Sequence, residues 1–296
     1  MIRRADEIPF SWSVRRQEMW NSCRRSCFLH YYGASGGYDE NASPELRRIH
    51  EMRSLLSESG YIRRLIGSEL RRAFYAPHET EHPEFPGSSP PLAGSVLSRF
   101  RREFHRMLRG EFQSDHAAPM LESLYYPDPG GVGAVRGRLE QKLRHALEAL
   151  ESGVWPMLAR IRFLHRRTIS SPLEVTLPGA LRCYTVPVLA FQEKGEFSFI
   201  ESSGADATAL LLRFYAMNTL HIPPDRVRTF ELLPEEGILR ESGVELNAAR
   251  TLREIRAGAA EMLDAIRPSG EVCSDDFPPR REACPRCRFR AYCNAQ

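Results

Sequence analysis

Residues 284–293 read CPRCRFRAYC, three cysteines in the spacing C-x2-C-x5-C. Two thiols separated by two residues, with a third close behind, make a metal site that lacks one sulfur. The missing ligand must come from elsewhere in the chain, so this motif constrains the fold more than any other stretch. Seven cysteines spaced irregularly over 296 residues do not make a secreted disulfide framework, and clustered thiols point instead to metal in a reducing compartment. The remaining four are Cys23, Cys27, Cys183 and Cys273. Cys183 lies in a strand-like stretch and reads as a small buried residue. Cys273 is eleven residues before Cys284 and within reach of the triplet. Cys23 and Cys27 stand one helical turn apart in IPFSWSVRRQEMWNSCRRSCFLHYYG, which reads as an amphipathic helix with its aromatic side on the body.

Hydrophobic residues at 42% and charged residues at 27% fit a soluble globular protein long enough to bury a sizeable core. No apolar run approaches a membrane span, and the opening MIRRADEIPFSW lacks the apolar centre of a signal peptide, so a cytoplasmic, non-membrane protein is expected. The net charge of +3 does not by itself indicate a nucleic-acid partner. Of 41 basic residues only Lys142 and Lys194 are lysine, an excess of arginine that codon bias explains as well as phosphate binding does.

The order of elements is helical, then stranded, then helical again. Apolar residues from Leu46 to Phe74 recur at three- and four-residue steps with arginines between them. A loop rich in proline, glycine and serine spans Pro77 to Gly94, and two helical stretches follow, Ser95–Arg109 and Arg136–Ser152. LEVTL, LRCYTVPVLAF and FSFIE predict three strands, Ala205–Leu220 a helix, VRTFELL a fourth strand and Glu245–Ile266 a closing helix. The expected fold is a single α/β domain with a mixed central sheet of four or five strands, all within 173–233. It divides into N-terminal helices (1–75), a helical insert (76–170), the sheet core with its closing helices (171–266) and a cysteine segment (267–296).

An S-W-S at residues 11–13, then C-x-R from Cys23, an aromatic run and Gly33, combined with the C-terminal C-x2-C-x5-C, resembles the RecB-like nucleases of the PD-(D/E)XK superfamily. The similarity is to the branch that carries an iron–sulfur cluster, which includes the AddB nuclease domain and CRISPR-associated RecB-like exonucleases. It covers most of the chain. It implies a 4Fe–4S cluster held by Cys23, Cys284, Cys287 and Cys293, with Cys27 the next candidate for the first ligand. Zinc is the alternative, because four thiolates suit it equally well. Such a bond set closes a loop of roughly 260 residues, worth several kcal/mol of chain entropy.

The resemblance also implies a magnesium-dependent site, and here the sequence departs from the family. In I-G-S-E-L-R-R, Arg71 stands where the family has a histidine. In Y-T-V-P-V-L-A-F, Val188 replaces the aspartate after Pro187. In F-I-E-S-S-G, Glu201 keeps the acid, but Ser203 replaces the lysine. In A-L-L-L-R-F-Y, Leu211 replaces the glutamine and Tyr215 is kept. Valine cannot ligate magnesium, and one carboxylate is too few for a hard cation. No magnesium is therefore expected, and a cleft with Arg71 at the metal position suits a phosphate instead.

These readings predict a pseudo-nuclease that binds DNA without sequence preference through Arg63, Arg64, Arg71 and Arg72, or serves as a scaffold with a protein partner in a DNA-processing or phage-defence complex. The alternative is an active metal-dependent nuclease with displaced residues, drawn from Glu174, Glu196, Asp206 and Lys194. A redox-sensing cluster protein unrelated to DNA is a third possibility. His78-Glu79-Thr80-Glu81-His82 matches H-E-x-x-H, but Pro77 and Pro83 bracket it and deny it the helix that motif needs.

Overall fold

The computed structural model describes residues 1–4, 8–75, 92–115, 117–169, 172–242 and 246–293. The H-E-x-x-H stretch at 78–82 lies outside them.

Strand β1 (Ile2–Arg4) precedes helix α1 (Val14–Ser22), which Ser13 caps by accepting from the main-chain N–H of Arg16. The helix stops at Cys23, which is extended (φ −162°, ψ 113°), and restarts as α2 (Arg24–Phe28), followed by a π-helical turn at Leu29–Gly33. The single amphipathic helix expected here is therefore broken. In an unbroken helix Trp20 and Phe28 would stand about 12 Å apart along the axis. The break lets both pack on one ring, Phe277, at centroid distances of 5.7 and 5.3 Å.

The long periodic stretch from Leu46 to Phe74 is also two helices rather than one. Helix α3 (Pro44–Ser54) begins with Ser43 as cap and proline in its first turn. It ends at β2 (Leu55–Leu56), which pairs in parallel with β3 (Met120–Leu121), and α4 (Glu58–Tyr75) follows. The apolar period survives the interruption: Ile49 and Met52 on α3, and Ile62, Leu65, Ile66, Leu70 and Phe74 on α4, are all buried.

The helical insert comprises α5 (Leu92–Leu108), α6 (Glu122–Tyr125), α7 (Gly131–Ser152) and α8 (Val154–Ala159). Helix α7 starts earlier than its apolar pattern indicates, and buries the expected face of Leu139, Leu143, Ala146, Leu147 and Leu150.

The stranded half is a mixed α/β unit. Strands β4 (Leu173–Leu177) and β5 (Leu181–Thr185) form a hairpin. Trp12 extends it on the far edge of β5, donating its N–H to Arg182 and accepting from Tyr184. A second sheet runs β6 (Leu189–Glu193), β7 (Glu196–Glu201), β8 (Val227–Leu233) and β9 (Ile238–Ser242) in that order. Its β7–β8 pair is parallel, joined through α9 (Asp206–Thr219), and the other pairs are antiparallel.

Two expectations are corrected. LRCYTVPVLAF is two strands in two sheets, because Pro187 has no N–H for a ladder and turns the chain between them. The strands do not all fall within 173–233, since β9 lies beyond. Its sequence ILRES is mostly exposed, so it lacks the apolar alternation that reveals a strand.

After α10 (Ala248–Asp264), β10 (Glu271–Cys273) pairs antiparallel with β1, setting Ile2 opposite Cys273. Residues 274–293 then contain only short 3-10 turns. Among the described residues no helix is long and apolar enough to cross a membrane.

Candidate functional site

A segment of 20 residues with almost no backbone ladder of its own must be fixed by side chains. In residues 274–293 two aromatic anchors do this, Phe277 (1% exposed) and Phe289 (0%). Polar contacts add to them. Arg25 donates to the Phe277 carbonyl at 2.9 Å, Arg280 to the Asn21 carbonyl at 2.8 Å, and Arg288 to the Arg53 carbonyl at 3.1 Å.

Beside Phe289 lies a small cavity. Cys23, Cys284, Cys287 and Cys293 all line it, together with Ser26, Leu29, Pro279, Phe289 and Arg290. Cys23 reaches it from the break between α1 and α2, and the other three from the turns of 281–293. The sulfurs already accept main-chain N–H groups, Cys23 from Arg280 at 3.5 Å and Cys287 from Phe289 at 3.4 Å. Burial pushes the Cys287 thiol up, the Phe289 N–H and Ser26 pull it down, and the charges of Cys23 and Cys293 push it up again. Those sulfurs therefore feel one another. Among the described residues no three Cys, His, Asp or Glu side chains are gathered as a bare metal ion requires. The four thiols share one pocket without forming such a group.

The other cysteines stand apart from this cavity. Cys27 is 1% exposed in the core, where burial lifts its thiol to about 11 against the opposing pull of Arg16. Cys183, inside β5, is lifted by burial to about 12, and Cys273 belongs to β10.

The motif positions meet across α4 and the sheet. Arg71 on α4 donates to the carbonyls of Pro187 and Val188 at 2.9 and 3.2 Å. One turn earlier on the same helix, Gly67 lies beside Val188, whose Cγ1 would lie 3.8 Å from a Cβ placed there, an ordinary contact distance. Glu201, at the end of β7, is 1% exposed. Its carboxylate accepts from the Ser203 hydroxyl at 2.7 Å and from the Gly204 N–H at 3.0 Å, and Ser203 also contacts Thr208 at 2.7 Å. Burial raises the Glu201 pKa, the Ser203 and Gly204 donors lower it, and Glu231, its cross-strand neighbour, raises it again, for a net rise. Leu211 is fully buried on α9, and Tyr215 packs edge-on against Phe199. The displaced-site candidates are scattered: Glu174 accepts from Tyr184, Glu196 faces Arg228, Lys194 sits in the β6–β7 turn, and Asp206 opens α9.

The arginines of α4 differ in their surroundings. Arg63 is exposed, Arg64 faces Glu103 at 3.5 Å, and Arg72 is paired with Glu69 at 2.8 Å. Arg99 bridges Glu69 and Glu103 at 2.9 and 2.8 Å, which makes one network of this face. No sequence motif marked this network, because its acids and bases come from two helices separated by the proline-rich stretch. No protein-family model matches the chain, and no curated protein matches it.

Proposed function

We propose that this chain is a RecB-like fold of the PD-(D/E)XK superfamily that has lost its nuclease chemistry, holds a 4Fe–4S cluster, and serves as a DNA-binding or scaffold subunit of a DNA-processing or phage-defence assembly. The observation that carries the reading is the meeting of Cys23 with Cys284, Cys287 and Cys293 on one cavity. The wall fits such a group: it is largely apolar, and N–H donors from Arg280 and Phe289 already point at two of the sulfurs, as thiolates around a cluster need. When bound, the cluster supplies thiolate–iron bonds that tie residue 23 to residues 284–293.

Loss of chemistry is supported by Arg71 and Glu201. Arg71 spends its guanidinium on the carbonyls beside Val188, so a fixed positive charge stands where the family's metal would sit. Glu201 spends its carboxylate on Ser203 and Gly204. Of the arginines of α4, Arg63 is exposed and, among the described residues, is in no ion pair, so it is the one most open to a DNA backbone.

Anaerobic purification with iron and sulfide analysis tests the cluster: about four of each per chain are expected. Cys23→Ala lowers both, and Cys27→Ala leaves them unchanged. Stoichiometric zinc instead of iron would replace the cluster with a zinc site. Calorimetric titration with magnesium or manganese tests the lost chemistry, and tight binding that disappears in Glu201→Gln would restore the active-nuclease reading.

A further inference from the structure

Arg290 lies in the stretch between Cys287 and Cys293 and lines the thiol cavity with them. It also lines an open cleft of about 350 Å³ on the side of the helical insert, bordered by Glu58, Ser123, Tyr126 and Asp128 among others. No other residue is common to the two linings. Arg290 therefore stands where the sulfurs' cavity meets an open, polar space.

Contacts from two directions hold it there. Its guanidinium carbon lies 3.4 Å from the centre of the Tyr126 ring, a cation–π contact, and its Nη1 donates to the Cys287 carbonyl at 3.2 Å. Tyr126 is fixed in turn: its hydroxyl donates to the Arg288 carbonyl at 2.5 Å and contacts the Met52 sulfur at 3.6 Å. One ring thus grips residues 288 and 290 together, on the loop that separates two of the thiols.

The protein does not balance the charge on Arg290. The residue is half-buried and, among the described residues, is in no ion pair. The carboxylates of the cleft are engaged by other cations: Glu122 by Arg288 at 3.6 Å, and Glu58 and Asp128 by Arg138 at 2.9 and 2.7 Å. A half-buried cation without a counter-ion carries a desolvation cost that a nearby negative charge offsets. Four thiolates around a divalent metal, or around a cluster, supply a net negative charge at the same wall.

We propose that Arg290 is the counter-charge of the thiol site and its partition from the cleft, with Tyr126 as the positioning residue that seats it. The inference rests on reading the cavity as a metal–thiolate site, and it holds for an iron–sulfur cluster or for zinc alike. It also gives the helical insert a task, because Tyr126 directly follows α6.

Cobalt(II) is the probe, since thiolate coordination gives it a charge-transfer band from which affinity is read. The full chain, freed of metal under reducing, anaerobic conditions, is titrated with cobalt(II) and then challenged with a chelator. Arg290→Gln is expected to weaken cobalt binding by about tenfold and to speed its loss to the chelator. Arg290→Lys keeps the charge and is expected to recover most of the affinity. Tyr126→Leu is expected to weaken binding more than Tyr126→Phe, which keeps the ring. Thermal unfolding of the metal-free proteins reports on the fold separately. Arg290→Met, neutral and of similar length, repeats the comparison where Arg290→Gln does not fold. Unchanged binding in both neutral variants, or an Arg290→Lys no tighter than they are, overturns the proposal and leaves the thiol-site reading standing. A wild type that takes up neither cobalt(II) nor iron overturns both.

Discussion

The main-chain N–H of Arg280 donates to the sulfur of Cys23 at 3.5 Å, across 257 positions of sequence. Cys23→Ala removes that acceptor and one wall of the thiol cavity together. The expected result is loss of bound metal and a lower midpoint of thermal unfolding, read by metal analysis and calorimetry on the same sample. Cys183→Ala serves as the control, since it creates a small core defect without changing metal content.

Phe277 holds the same segment without any metal. Its ring packs against Trp20, Phe28 and Tyr32 and is 1% exposed. Phe277→Ala is expected to cost about 3–5 kcal/mol in denaturant unfolding. Limited proteolysis is expected to cut first within residues 274–293, whose turns have little ladder to protect them.

Arg71→Ala leaves the carbonyls of Pro187 and Val188 without their donor. An expected destabilisation of about 1–3 kcal/mol follows from the lost hydrogen bonds. Arg71→Lys is expected to recover only part of it, because a single ammonium does not reproduce a fork that spans two carbonyls. Urea unfolding of the three proteins at equal ionic strength checks both statements.

Acid stability has a definite sign at Glu69. Burial raises its pKa, but hydrogen bonds from Ser95, Arg99 and Arg72 outweigh it and hold the carboxyl at about 2, below the ordinary 4.5. A group depressed on folding stabilises the protein above its unfolded value, and that contribution is lost as pH falls through the folded one. Between pH 4.5 and 2 the wild type is therefore expected to lose stability more steeply than Glu69→Gln. Unfolding free energies measured across that window decide it.

The sequence made helices easier to read than their interruptions. The apolar steps of α3, α4 and α7 name the buried faces correctly, because a period of 3.6 residues survives in any amphipathic helix. The breaks at Cys23 and Leu55 carry no glycine or proline, and are set by partners far away, Phe277 and β3. Pro187 was visible, yet an apolar run on both sides concealed that it separates two sheets. That Cys23 shares a pocket with Cys284, Cys287 and Cys293 follows the expectation from spacing and the family resemblance, whereas the Glu69–Arg99–Glu103 network had no signal in the sequence. Its members stand on α4 and α5, and only tertiary packing brings those two helices together.

The pairing of β1 with β10 bears on the order in which the protein is made. Residues 2–4 find their strand partner only in 271–273, and the aromatic side of α1 and α2 finds its cover only in Phe277. During synthesis the first helices therefore emerge with Trp20, Phe28 and Tyr32 lacking the Phe277 ring, and gain that cover only once residue 277 has been made. Contacts so distant in sequence make for slow closure and a long exposure of apolar surface. A nascent chain that has not reached residue 271 therefore lacks both the strand partner of residues 2–4 and the ring that covers α1 and α2.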